Sequence, residues 1–261
     1  MLRSLKDLQG YSIEARDGHL GHVHEFYFDD DAWMVRYVVV DTGSWLPGRK
    51  VLLAPEALGT PEWPRRVIPV ELTKHQIEHS PAPDEHRPVS RQHEARLHSY
   101  FGWQPYWTDP LLYGHEAARV YDQSAGVAVA AESGDLESAD REAVAVEERP
   151  EDRHLQSSRE VIGYHIHATD GEIGHVEDFI VLDRIWCIRY VVVDLHNWRP
   201  GEKVLVSPQW IESVDWTDLK VRVEHTREEL RHAPRFDPAE PVNREYETRL
   251  YDYYGRPRQR I

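Results

Sequence analysis

Cysteine occurs once in the 261-residue chain, as Cys187. A single thiol cannot close an intrachain disulfide, which excludes a cross-linked extracellular scaffold. No apolar run approaches the roughly 20 residues that a membrane-spanning helix needs. Basic residues are outnumbered, 31 against 46 acidic, for a net charge of −15. The chain lacks the basic footprint of proteins that hold nucleic acid or anionic lipid through charge, so no direct nucleic-acid contact is expected. Motifs are missing too: there is no Walker-type phosphate loop, no serine nucleophile elbow, and no HExxH or CxxC spacing. The expectation is a protein without a cofactor, a metal or a catalytic group, not an enzyme. Met1 to Asp7 lack the apolar core of a secretory signal, so a cytoplasmic location is expected.

What the chain does have is a repeat. Arg36-Tyr37-Val38-Val39-Val40-Asp41 returns as Arg189-Tyr190-Val191-Val192-Val193-Asp194, and 189 − 36 gives a displacement of 153. The same displacement holds without a gap from Gly10 to Gly102, so the chain carries two copies of one unit. Asp17-Gly18 and Asp170-Gly171 mark hairpins, because glycine accepts a positive φ. The return strand, Gly21 to Phe28, changes hydrophobic phase near Glu25, which predicts a bulge. The strand from Trp33 to Val40 is apolar on both faces and is expected to be the most buried. Lys50 to Leu53, entered through a turn at Pro47-Gly48 and ended by Pro55, and Val67 to Val70 give further short strands. Such short, turn-punctuated strands predict a small barrel or sandwich.

Helical signals follow each set of strands. Thr73 with Gln76, and Thr226 with Glu229, match capping boxes. Ser90 and Asn243 are N-caps for a second helix, and Gly102 and Gly255 stand at its end. Residues 124–152 are rich in Ala, Glu, Asp and Ser and hold no aromatic residue. The expected organisation is copy 1 over residues 1–106, an acidic flexible linker over 107–153, and copy 2 over 154–256.

The pattern DGxxGHVxxF, DxxW, RYVVVD, WxPGxKVL resembles the PRC-barrel family. Here its residues are Asp17, Gly18, Gly21 to Val23, Phe26, Asp30, Trp33, Arg36 to Asp41, Trp45, Pro47, Gly48 and Lys50 to Leu52, and all recur in copy 2. The resemblance implies a mainly β fold of two small, strongly curved antiparallel β-barrels, each with a short helical C-terminal extension. It also implies a role in binding other proteins. Related domains occur in the photosynthetic reaction-centre H subunit and a ribosome-maturation factor. The alternatives to a plain adaptor are therefore a ribosome- or RNA-processing-associated factor and a photosynthetic or electron-transfer accessory protein.

Candidate sites are few. His22 and His175 sit at the barrel rim; with His19 and His24, or Glu172 and Glu177, they are the nearest approach to metal ligands. Arg36 and Asp41, like Arg189 and Asp194, fall on opposite strand faces and should find partners elsewhere. Cys187 should be an inert packing thiol. Trp33, Trp45, Trp186, Trp198, Trp103 and Trp107 are candidate anchors for an unknown protein partner, since tryptophan buries much area at small entropic cost. The two copies are expected to pack on each other as a pseudo-two-fold pair or to support dimerisation.

Overall fold

A computed structural model describes residues 1–82, 89–108, 155–195 and 201–256. The protein is mainly β. Copy 1 contains β1 (Leu2–Ser4), α1 (Leu5–Leu8), β2 (Ser12–Ala15), β3 (Gly18–Asp29), β4 (Met34–Asp41), β5 (Lys50–Leu53), β6 (Val67–Pro69), α2 (Lys74–Glu78) and α3 (Arg91–Phe101). Copy 2 follows with β7 (Leu155–Ser157), α4 (Ser158–Val161), β8 (His165–Ala168), β9 (Gly171–Leu182), β10 (Cys187–Asp194), β11 (Lys203–Val206), β12 (Ile211–Asp215), β13 (Lys220–Val223), α5 (Arg227–His232) and α6 (Arg244–Tyr253). The linker expected over 107–153 lies outside the described residues apart from Trp107 and Thr108.

The valine-rich strands are central in each copy. β4 pairs with β3 and β5, and β10 with β9 and β11. Both faces of β4 are covered, which is why its apolar residues do not alternate with polar ones. Val38 and Val40 enter a core shared by both copies, while Tyr37 and Val39 enter a second cluster with Leu97 of α3 and Leu155 of copy 2. The bulge falls where the phase change places it, between Val23 and Glu25, and recurs in copy 2. Both capping boxes form. The hairpin aspartates have a further use: Asp17 Oδ1 accepts from Lys74 N and Asp170 Oδ1 from Arg227 N, each at 2.8 Å. Each hairpin thereby fixes the first helix of its own tail.

Two features correct the expected pair of antiparallel barrels. The described strands form one 13-stranded sheet with the path β12-β13-β8-β9-β10-β4-β3-β2-β6, and this sheet does not close into a barrel. It is also mixed, because β6 runs parallel to β2 and β13 parallel to β8. The reason is pairing across the repeat. Met34 faces Cys187, flanked by Val35 N donating to Trp186 O and Ile188 N donating to Trp33 O, both at 2.8 Å. These positions are related by the repeat itself, since 34 + 153 = 187. Trp33 and Trp186 sit in the left-handed region, with φ of 55° and 56°, where a bulky residue is rare. That turn aims their carbonyls at the other copy.

The N-terminal arms also cross. β1 of copy 1 pairs with β9 of copy 2, and β7 of copy 2 pairs with β3 of copy 1. The repeat was legible in the sequence, but three-residue strands carry no periodicity by which the exchange could be read.

Glycine at 21 and 174 has a steric cause. A Cβ would lie 2.1 Å from Asp41 O at Gly21 and 2.0 Å from Asp194 O at Gly174. Gly21→Ala or Gly174→Ala should lower unfolding stability by roughly 3 kcal/mol, through forced separation of backbone strands. Gly10→Ala, at φ +75° with nothing within 4 Å, should cost only about 1 kcal/mol of left-handed strain. Urea midpoints of the three variants check the difference; equal losses would remove the steric account.

Candidate functional site

A cleft of about 830 Å³ opens where the two copies join. Its floor is the start of β4, its near wall runs from Pro55 to Trp63, and its far wall is the Asp183–Trp186 turn of copy 2. His98 of α3 and Tyr106 line it as well. Arg3 of the exchanged β1 strand lies over the Trp63 ring at 3.9 Å and reaches Asp183 Oδ2 at 3.8 Å. The arm that joins the copies thus braces two opposite walls.

Behind the cleft lies a buried polar network. Tyr106 hydroxyl donates to Glu94 Oε1 at 2.7 Å, and Arg91 Nη1 lies 3.1 Å from Glu94 Oε2. The Tyr37 hydroxyl stands 2.8 Å from His98 Nε2 and 3.1 Å from Glu94 Oε1. His98 Nδ1 lies 3.2 Å from the Gln104 carbonyl oxygen. A neutral ring with Nδ1–H donating to the carbonyl leaves Nε2 an acceptor beside the Tyr37 hydroxyl, whose single proton lies between Nε2 and Glu94 Oε1. Arg36 lies 3.9 Å over the Tyr106 ring and 3.4 Å from Asp29 Oδ2. Asp29 Oδ1 in turn caps the β3–β4 turn by accepting from Asp31 N and Ala32 N, each at 3.0 Å.

Burial sets the protonation states. It pushes the Tyr37 and Tyr106 phenols well above their ordinary value, so both stay protonated donors. It pushes His98 down, which keeps the ring neutral. The network is a support whose groups bond to one another, and the cleft is lined by aliphatic groups, the rings of Trp63, His98, Tyr106 and Trp186, and the charged Arg36, exposed Glu56, Asp183 and Arg184. Copy 2 keeps part of it: Tyr190 hydroxyl donates to Glu247 Oε1 at 2.7 Å, while Tyr251 stands where copy 1 has His98.

The anchor tryptophans scatter. Trp186 is buried and lines the cleft. Trp33 is buried against Phe28, with ring centroids 5.5 Å apart. Trp45 is half-buried under Lys74 Nζ, Trp103 stacks on Phe101 at 4.3 Å, and Trp107 meets the edge of His98 at 5.0 Å. Trp198 lies outside the described residues. Trp63 lines the cleft together with Tyr106 and His98, two residues not expected as anchors. The usable signal was a polar residue kept in both copies at a buried position, Tyr37 with Tyr190 and Glu94 with Glu247.

The rim histidines have different surroundings in the two copies. His22 is exposed and meets His19 edge to face at 5.0 Å. In copy 2, His175, Glu177 and Asp194 approach one another within 4.8 Å. Lys6 Nζ and Lys203 Nζ already lie 2.7 Å and 2.9 Å from Glu177 Oε1, so two ammonium groups neutralise the carboxylate a cation would need. Asp41 Oδ1 caps its own turn, accepting from Gly43 N at 2.8 Å. Cys187 is buried and its thiol is pushed up by that burial.

No protein-family model matches the chain, and no curated protein matches it.

The depressed His98 pKa has a defined sign. The unfolded ring takes up its proton near pH 6.5 while the folded one resists, so the contribution to stability is complete above 6.5. It is lost as pH falls from 6.5 towards the folded value. Half-buried Asp30, raised to about 6 by desolvation, acts with opposite sign at lower pH, between 3.8 and 6. His98→Gln should therefore flatten the fall in urea midpoint between pH 7.5 and 6. A slope in that range identical to that of the unmodified protein would contradict the neutral ring.

Proposed function

We propose that this protein is a non-catalytic interaction protein of the PRC-barrel type, and that the inter-copy cleft receives a segment of a protein partner. The observation that carries the reading is the cleft itself: a concavity walled by both copies, with Trp63 and Trp186 beside the Arg36–Tyr106 stack. Aromatic and arginine side chains in a preformed hollow are the composition of binding hot spots. The ionisable groups behind it are immobilised in neutral or paired states, which suits a scaffold and supplies no group poised for proton transfer.

Charge selects among partners. A net charge of −15 attracts basic proteins over distance, and Glu56 places a carboxylate on the cleft rim. The partner segment that fits carries an apolar or aromatic side chain for the tryptophans and a Lys or Arg for Glu56. Of the roles that the family resemblance suggests, contact with a basic ribosomal protein agrees best with this charge.

Affinity capture from the native cell, with the unmodified chain, Trp63→Ala and Glu56→Lys as parallel baits, tests the reading. Glu56 is exposed, so Glu56→Lys should fold normally. A common partner should bind the unmodified bait and be weakened about 10-fold or more by either change. Retention of the same partners at the same salt by all three baits would place binding elsewhere.

A further inference from the structure

The exchanged arms are similar in backbone and different in chemistry. Each arm strand ends in a serine that grips a carboxylate of the other copy: Ser4 hydroxyl donates to Asp178 Oδ2, and Ser157 hydroxyl to Glu25 Oε2. The next residue differs. In the copy 1 arm it is Leu5 and in the copy 2 arm Ser158, and each is 1 % exposed. Ser158 Oγ accepts from Phe26 N at 3.1 Å. In copy 2, the corresponding amide, Phe179 N, donates instead to Asp178 Oδ1 at 2.7 Å, which leaves that position free to take the leucine. One residue further on, Lys6 pairs with Glu177 at 2.7 Å, while Arg159 Nη1 lies 2.9 Å from His24 Nε2.

We infer that Leu5 and Ser158 make the two arms non-interchangeable, so that the arm-binding face of copy 1 accepts only the arm of copy 2 and the reverse. Placed on a copy 1 body, the copy 1 arm would set a leucine where Phe26 N needs an acceptor and bring Lys6 to His24 instead of a carboxylate. A buried amide without a partner is among the costlier defects in a fold. Placed on a copy 2 body, the copy 2 arm would leave the volume of Leu5 unfilled by Ser158, a cavity in a fully buried site. A like pair would carry its defect twice, once per arm. The surface therefore fits the opposite half and discriminates against the same half of a second chain.

The test starts from the folded full chain, with a protease site placed between residues 109 and 154. After cutting, the two halves are left to re-equilibrate and native mass spectrometry reads the pairs. Free exchange without preference gives like and unlike pairs in a 1:2:1 ratio. The expected result is unlike pairs favoured at least ~10-fold over that ratio, equivalent to about 1.4 kcal/mol. The exchange variant Ser158→Leu with Leu5→Ser should lose the preference. Ser158→Thr keeps the hydroxyl and should retain it, which separates the acceptor from simple loss of packing. A statistical ratio in the unmodified protein, or separation into single halves, would overturn the inference. So would an unchanged preference in the double variant.

Discussion

Everything in this molecule depends on the backbone crossing at Met34 and Cys187. Two amides and two carbonyls, each contributed once by each copy, are satisfied only by the other copy. A buried strand end that kept these groups to itself would leave them without partners, which backbone groups rarely tolerate. The left-handed turn at Trp33 and Trp186 is the local strain accepted to aim the carbonyls outwards. The arms then cover the flanks of the same junction. Repeat, crossing and exchange are three expressions of one two-fold arrangement written into a single chain.

The cleft follows from that junction. Neither copy owns it: its floor is β4 and its far wall is a turn that copy 2 presents only because β10 meets β4. Arg3 ties the near and far walls together from an arm anchored in copy 2. The Glu94 network stiffens the remaining side through α3, held by its Ser90 cap and the left-handed Gly102. A cleft built this way is preorganised, since the covalent repeat and the exchanged strands fix its walls.

How much of this the sequence shows depends on the range of the interaction. Hairpins at Asp17 and Asp170, the bulge before Glu25 and the capping boxes are local, and residue order alone specifies them. The double-faced burial of β4 is legible because Tyr37-Val38-Val39-Val40 shows no alternation. The sheet path is not legible. β6 beside β2 is a parallel pair whose partners are far apart in the chain, and nothing in Val67-Ile68-Pro69 distinguishes closure of a barrel from the edge of an open sheet. Tyr106 escaped notice for the same reason, as it meets Trp186 across the cleft only through the crossing.

The copies differ at many positions along the repeat, and some of these differences fall at the junction and its support. Leu5 answers Ser158, Lys6 answers Arg159, His24 answers Glu177, and His98 answers Tyr251. A pair of identical halves would present the same arm and the same cleft twice. Divergence at these positions lets one arm be matched to one body and lets the two ends of the junction hold different networks around Tyr37 and Tyr190. The strand scaffold has no such freedom: a side chain at Gly21 or Gly174 would collide with the adjoining backbone in either copy. Close backbone contact keeps the frame symmetric, while the side chains laid across it carry the distinction between the halves.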